Sequence, residues 1–224
     1  MTPRRKPWFA LALVLAAAPL AAQAPGLPIR AGGVLPGLEL AGTVGFTGAD
    51  SRTGDGTAYA ASVAYGVNRL GLTGMVGAVS RANGGGSDVT WGALASVRLI
   101  GGDLQTFAVT GFGGYGYFKQ PPWDPDQLAL YPPPGPGEFG SGYFPVGLDF
   151  SLTIPTPVVS IRPWLSPRYE FESVDRAGGS ESESTFGGSA GVDLRFVRGF
   201  GFRVLWDKLD GRDQTIGLGA AYHF

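Results

Sequence analysis

The sequence predicts an all-β fold: a transmembrane, antiparallel, up-and-down β-barrel of about ten strands, with about eight as the alternative count. Three observations lead to this prediction. Polar and apolar residues alternate with period two along most of the chain, short and long connections alternate between the segments, and the first residues have the pattern of an export signal. Only helices and closed barrels can pair every backbone group inside a bilayer, so a membrane-spanning chain without apolar helices requires a barrel.

The N-terminus has the organisation of a secretory signal. Three basic residues at positions 4–6 precede an apolar run over residues 8–20, and small residues follow. This pattern predicts a cleaved signal peptide over 1–22, a short N-terminal periplasmic segment over 23–34 and the barrel over 35–224. An uncleaved anchor is the alternative, but the apolar run is shorter than the ~20 residues that a spanning helix needs.

Charge and cysteine content narrow the possible functions. The chain has 17 Lys and Arg against 18 Asp and Glu, and loss of the signal peptide leaves 14 basic residues. A slightly acidic protein offers no electrostatic basis for binding nucleic acid, so we expect no such partner. Cysteine is absent, and an exported protein without disulfides depends on its hydrogen-bonded sheet for stability.

The alternation defines ten segments, most of them near the ~9–11 residues that a tilted strand needs to cross a bilayer. The sixth is the clearest, with Phe144, Val146 and Leu148 on one face, and the facing of the third is ambiguous. The predicted strands are Gly37–Phe46, Thr57–Val67, Leu70–Ser80, Asp88–Ile100, Leu104–Phe118, Tyr143–Ile154, Val158–Phe171, Thr185–Val197, Phe200–Asp207 and Thr215–Phe224.

The connections between these segments alternate in length. Four are short enough for tight hairpin turns: Asn68-Arg69, Gly101-Gly102-Asp103, Thr156-Pro157 and Arg198-Gly199. The remaining five are longer: Thr47–Gly56, Arg81–Ser87, Lys119–Gly142, Glu172–Ser184 and Lys208–Gln214. Short periplasmic turns and longer extracellular loops are typical of membrane barrels, and an even number of strands places both termini on the periplasmic side.

The two faces of the strands predict an inside-out barrel. The apolar face carries no charge and gathers aromatic residues near the strand ends, as expected of a lipid-facing surface with two aromatic girdles. A soluble lipocalin-like barrel or a β-sandwich would alternate as well, but lysine is scarce. The polar face is nearly charge-balanced, and its candidate lumen-lining residues are Glu39, Arg98, Asp149, Arg162, Arg168, Glu170, Asp193, Arg195 and Arg203.

Two prolines interrupt the seventh segment. Pro163 and Pro167 lack the backbone N–H that a ladder requires, and they have the same parity. Both missing donors therefore point toward the same neighbouring strand. We expect that seam to be the weakest in the sheet, or to contain a bulge.

The C-terminal nonapeptide Ile216–Phe224 alternates apolar residues and ends in phenylalanine. It resembles the C-terminal signal of bacterial outer-membrane proteins, and the whole chain resembles the small outer-membrane β-barrel superfamily, OmpA-like or OmpW-like in style. The resemblance implies a location in the bacterial outer membrane, with lipid as one partner. It also implies contact with the barrel-insertion machinery through Tyr222 and Phe224.

No pattern in the chain indicates an enzyme, a cofactor or a metal. The single histidine, His223, lies beside the C-terminus, far from the extracellular rim where a barrel hydrolase would need its base. Three aspartates in the last loop, at positions 207, 210 and 213, match no complete calcium-binding signature. We therefore expect a protein without catalytic function or cofactor, and an outer-membrane hydrolase dependent on His223 is the least favoured alternative.

The remaining hypotheses concern the lumen and the loops. A barrel of ~8–10 strands has its interior largely filled by side chains, so a structural barrel or a narrow porin-like channel for small solutes is the first hypothesis. The second is a surface-binding or adhesion module acting through long extracellular loops. The proline-rich loop Lys119–Gly142 is the most distinctive of these, and Trp123 and Tyr131 are its candidate contact residues for a ligand whose identity the sequence does not indicate.

Overall fold

The computed structural model describes residues 36–48, 56–81, 87–101, 106–120, 139–176, 179–212 and 214–224. These ranges contain the strands β1 (Gly37–Thr47), β2 (Gly56–Val67), β3 (Leu70–Arg81), β4 (Ser87–Ile100), β5 (Phe107–Gln120), β6 (Phe139–Leu152), β7 (Ile154–Pro155), β8 (Val159–Arg176), β9 (Gly179–Phe196), β10 (Phe200–Leu209) and β11 (Thr215–His223). No helix within them has the length and apolar character needed to cross a membrane.

The strands form a closed antiparallel barrel. Each long strand pairs with its neighbours in the sequence, β6 pairs with β8, and β1 pairs with β11 to close the sheet. The two-residue β7 continues the line of β6 and also pairs with β8. Ten long strands therefore make up the wall, which confirms the predicted fold class and strand number and excludes the alternative of eight.

The closing seam joins the two ends of the chain. The β1–β11 ladder runs without interruption from Glu39 opposite His223 to Thr47 opposite Thr215. Beyond it, the Phe224 N–H donates to the Leu38 carbonyl at 2.9 Å. Because this seam pairs the backbone of both terminal strands, the barrel has no open edge along this part of its wall.

Tight turns connect the strands at the end of the barrel where the chain termini lie. Asn68 in the β2–β3 turn has φ 55° and Gly199 in the β9–β10 turn has φ 87°. Tight hairpin turns of two or three residues require such left-handed conformations, which asparagine and glycine adopt at low cost. The predicted short turns at these two positions are confirmed.

The predicted loop Glu172–Ser184 is wrong over most of its length. Strands β8 and β9 continue to Arg176 and from Gly179, and they pair along this whole stretch. Serine and glutamate alternate in residues 180–184, so both faces are polar and no apolar alternation revealed the strands. Smaller shifts affect β5, which begins at Phe107, and β6, which begins at Phe139.

Several predictions concern residues outside the described ranges and stay predictions. They are the signal peptide over 1–22, the periplasmic segment over 23–34, and the two loop contact residues Trp123 and Tyr131.

The β6–β8 ladder is interrupted beside the two prolines of β8. Pairing stops after Gly147 opposite Arg168 and resumes at Phe150 opposite Leu165. On the other side of β8, the β8–β9 ladder passes Pro163 and Pro167 without a gap. Both missing N–H groups thus face β6, as their shared parity predicts. A side-chain bond crosses the gap, since Ser166 Oγ donates to Asp149 Oδ2 at 2.7 Å.

Gly116 provides a test of packing inside the barrel. It lies under the ring of Tyr143, and a Cβ at this position would be 2.2 Å from Tyr143 Cζ. We expect Gly116→Ala to lower the free energy of unfolding by about 1–3 kcal/mol through overpacking, measured by urea titration in phospholipid vesicles. Gly42→Ala is the matched control, because a Cβ there meets nothing within 4 Å. Equal stability of the two variants would contradict this packing.

Candidate functional site

The outer wall of the barrel is apolar. Large side chains at alternate positions point away from the sheet, such as Val204 on β10 (56% exposed) and Leu218 on β11 (47% exposed). Their immediate neighbours point inward, and Leu205 is 2% exposed. A water-soluble barrel would reverse this order, so the exposed face is built to contact hydrocarbon.

Aromatic pairs lie near both rims of this outer wall. At the loop end, the Tyr169 and Phe186 rings are 5.0 Å apart, centroid to centroid. At the turn end, Tyr222 lies 4.9 Å from Phe200 and 4.7 Å from Phe224. Two such belts match the aromatic girdles of membrane interfaces.

The centre of the interior network is Arg168 on β8, which is 1% exposed. Its Nη1 and Nη2 donate to the two carboxylate oxygens of Asp207 at 2.7 and 3.1 Å. Nη1 also donates to Ser189 Oγ at 2.8 Å, and Ser189 Oγ in turn donates to Asp207. These bonds link β8, β9 and β10 along the inner surface of the wall. A bidentate pair of this kind fixes both side chains in one geometry.

A second cluster lies toward the loop end of the same strands. Arg212, in the turn after β10, donates to Glu170 Oε1 at 2.8 Å and to Glu172. Glu170 also lies 3.4 Å from Arg168 Nε, so it joins this cluster to the first network. The inner surface from β8 to β10 is therefore a continuous chain of paired charges.

A third group of polar side-chain contacts lies toward the turn end of the barrel. Arg203 Nη2 on β10 donates to Glu39 Oε1 on β1 at 2.9 Å, and its Nε lies 3.9 Å from Asp193 Oδ1. Arg162 Nη2 donates to Ser151 Oγ at 2.8 Å. All of these contacts run between neighbouring or next-neighbouring strands, so they follow the wall.

The structure places the nine predicted lumen-lining residues on the inner surface with different degrees of burial. Two are half-buried: Glu39 and Arg195. The seven that are buried are Arg98, Asp149, Arg162, Arg168, Glu170, Asp193 and Arg203.

The sequence-based selection of nine lumen-lining residues omitted Asp207, Arg212, Glu172 and Ser189 from this network. Glu172 shares the parity of Arg168 and Glu170, so extending the alternation of β8 by one step would have identified it. Arg212 lies in a turn, where period two carries no information.

The opposite side of the interior is lined by small side chains. The inward residues Ala41 and Thr43 on β1, Ala60 and Ser62 on β2, and Thr73 on β3 are half-buried. On β4, β5, β6, β8 and β9, at least one inward residue on each strand is completely inaccessible or nearly so: Thr90, Thr110, Asp149, Ser166 and Ser189. On β2, Ala58 is also 0% exposed and packs against Val79 of β3 near the loop end, so the partly open lining is confined to the middle and turn end of β1 to β3.

Two further positions bear on the chemistry of the barrel. His223 Nε2 lies 3.0 Å from the Pro36 carbonyl, at the turn end of β11. Across the described ranges, no three carboxylate or imidazole side chains are grouped so that they could hold a metal ion.

No family of known proteins and no curated protein matches this sequence. Among solved structures, the chain is similar to the β-domain of the Bordetella autotransporter BrkA, with 12% identity and a TM-score of 0.49 over 84% of this chain and 100% of that one. It is also similar to the translocator domain of the autotransporter NalP from Neisseria meningitidis, with 14% identity and a TM-score of 0.47 over 84% and 88% of the two chains. A third similar structure is Ail, the attachment invasion locus protein of Yersinia pestis, with 18% identity and a TM-score of 0.33 over 85% and 100%.

Proposed function

We propose that this chain is a bacterial outer-membrane β-barrel that acts as a structural barrel with a narrow lumen, passing small solutes at most. The observation that carries the proposal is the unequal lining of the interior. Most inward side chains on β4 to β10 are buried, whereas the small inward side chains in the middle and turn-end part of β1 to β3 keep partial exposure, and Ala58 and Val79 near the loop end of β2 and β3 are buried. A passage of limited width follows that small-residue side.

The chemistry of this passage favours small, uncharged or weakly charged solutes. Alanine, serine and threonine line it, and Glu39, the inward carboxylate of β1, is bonded to Arg203. A fully packed barrel of ~8–10 strands leaves little free lumen. We therefore expect low, discrete conductance from the purified monomer in planar bilayers, and a large, stable porin-scale conductance would contradict the proposal.

A single introduced cysteine tests the passage directly, because the chain has none of its own. We expect Ser62→Cys to react with a small, water-soluble methanethiosulfonate reagent and the reaction to reduce the current. Ser166→Cys is the matched control on the packed side, since Ser166 is 0% exposed, and it should stay unmodified in the folded barrel. Equally fast modification of the cysteines at positions 62 and 166 would contradict the proposal, because it would show that solvent reaches both sides of the interior equally.

The same proposal covers the partners of the chain. Lipid contacts the apolar outer wall, and the insertion machinery reads the C-terminal strand, where Phe224 is 66% exposed at the turn end. Catalysis is not part of the proposed function, because His223, the histidine of β11, is engaged with the backbone at Pro36.

Surface binding is the second candidate function, favoured by one specific observation. Strands β8 and β9 have 18 residues each, whereas the other long strands have at most 14. At the loop end β6 accompanies β8 as far as Ser141 opposite Val174, whereas the β9–β10 ladder ends at Gly187 opposite Leu209, so the β8–β9 hairpin extends past β10.

A further inference from the structure

The partly open lining of β2 and β3 ends before the loop end of the barrel. Its inward side chains Ser62, Ala60 and Met75 are half-buried. Beyond them on the same two strands, Ala58 and Val79 are 0% and 7% exposed, and they lie directly opposite each other in the β2–β3 ladder. The passage therefore narrows at Ala58 and Val79, here called the neck.

The side chains at the neck are apolar. Ala58 and Val79 form a buried cluster, and Ala60 and Met75 pack against it from the side of the passage. The neighbouring Thr90 on β4 directs its hydroxyl away, since its Oγ1 donates to the Tyr117 carbonyl at 3.1 Å. The Thr90 methyl group instead lies beside Gly77, where a Cβ would be 3.3 Å from Thr90 Cγ2. The neck thus offers methyl groups and a thioether to a solute.

Larger side chains fill other parts of the loop end. On β5 and β6, the rings of Phe118 and Tyr143 are buried and lie 5.8 Å apart, centroid to centroid. On β8, the buried Glu170 accepts a bond from Arg212 of the turn after β10. The neck, in contrast, is made of small side chains and continues the two strands that line the passage. A solute that follows the passage toward the loops therefore meets the neck.

An apolar neck affects ions and neutral solutes differently. An ion that sheds hydration water needs polar groups in exchange, and the side chains of Ala58 and Val79 supply none. Narrow apolar constrictions in channels also lose their water, which raises the barrier for ions further. A small neutral solute gives up fewer and weaker interactions with water, so its barrier is lower.

We propose that Ala58 and Val79 determine the specificity of the passage: they admit small neutral solutes of the size of glycerol and hold back ions. The inference rests on the proposed function, because it concerns solutes that move along the passage beside β1 to β3. It assigns the low conductance to the apolar neck and not to the charged groups of the wall.

The test uses the full-length protein folded in phospholipid membranes, with KCl as the ionic probe and glycerol as the neutral one. Val79→Thr keeps the shape of the side chain and adds a hydroxyl to the neck. We expect this variant to raise the KCl conductance in planar bilayers at least about threefold, and to keep the rate of vesicle swelling in glycerol within about twofold of the wild type. Ala58→Ser adds a hydroxyl on the facing strand and should have the same effect.

Thr73→Val is the matched control. It makes the reverse change on β3 in the partly open part of the passage, where Thr73 is half-buried, and it should alter neither rate. A KCl conductance that both neck variants leave unchanged, or an equal rise in Thr73→Val, would overturn the inference.

The wild-type barrel supplies a second readout that needs no variant. Serinol, the cationic amine analogue of glycerol, should enter vesicles at least about tenfold more slowly than glycerol itself. Equal rates for the two probes would refute the inference. A gel of unboiled against boiled protein shows that each barrel is folded. No entry of glycerol through a folded wild-type barrel would count against the proposed passage, whereas glycerol entry without discrimination against serinol would count against this inference alone.

Discussion

Replacement of Asp207 by alanine is expected to destabilise the barrel by about 3–5 kcal/mol, since it leaves a buried guanidinium without its main partner. Arg168 has no exposed side-chain surface and makes both of its shortest carboxylate contacts with Asp207. Glu170 stays near Arg168, but it already binds Arg212. The measurement is the free energy of unfolding from urea titration in phospholipid vesicles.

The matched control for this substitution is Asp210→Ala, in the exposed turn after β10. A surface change of this kind is expected to stay within about 0.5 kcal/mol of the wild type. A double variant, Arg168→Met with Asp207→Leu, removes both charges and should recover most of the lost stability. If Asp207→Ala cost no more than Asp210→Ala, the Arg168–Asp207 pair would not be a buried element of the interior.

An arginine in place of Val204 is expected to cost about 2–4 kcal/mol, because it would place a charge near the middle of the lipid-facing wall. Val204 lies at the centre of β10, between Val192 and Leu218, and is 56% exposed. On a wall facing water the same substitution would be nearly neutral. The loss in the free energy of unfolding therefore shows whether lipid or water contacts the outer face.

Two controls separate lipid depth from local packing. Val204→Leu keeps an apolar side chain at the same site and should change stability by less than about 1.5 kcal/mol. Val158→Arg lies in the turn before β8, at the rim, and should cost no more than about 1 kcal/mol. Equal costs for Val204→Arg and Val158→Arg would indicate that depth in the membrane has no effect, contrary to the proposed placement.

Period-two alternation predicted the strands wherever one face contacts lipid and the other the interior. The sixth predicted strand illustrates this, because Phe144, Val146 and Leu148 are all exposed while Asp149 is fully buried. The facing of β3 was ambiguous because glycines occupy both of its faces, at positions 74 and 77 among others. There the structure resolves the facing through Leu70, Leu72 and Val76, which point outward.

Alternation failed where the chain leaves the membrane. Residues 180–184 read Ser-Glu-Ser-Glu-Ser, polar on both faces, so the extension of β9 carried no hydrophobic signal. Arg212 was missed for a related reason. It lies in a turn, where side chains do not alternate between the two faces of a sheet. Its bonds to Glu170 and Glu172 depend on how the β10–β11 turn folds back over β8.

The unequal lining of the interior could not be predicted from the sequence either. Alternation shows that Ser62 and Ser166 both face inward, but it does not show that one is half-buried and the other inaccessible. That difference arises from the side chains on the facing and neighbouring strands. It becomes visible once the register of the closed barrel is known.

The most direct test of the inside-out arrangement compares nitroxide labels on two adjacent residues of β2, Ser62 and Val63, in vesicles. Val63 is 46% exposed on the outer wall, and Ser62 is half-buried on the inner one. We expect the label at position 63 to collide frequently with oxygen dissolved in lipid and rarely with a water-soluble nickel complex, and the label at position 62 to show the reverse. A label at position 63 that the nickel complex reaches as readily as position 62 would contradict the assignment of the apolar face to lipid.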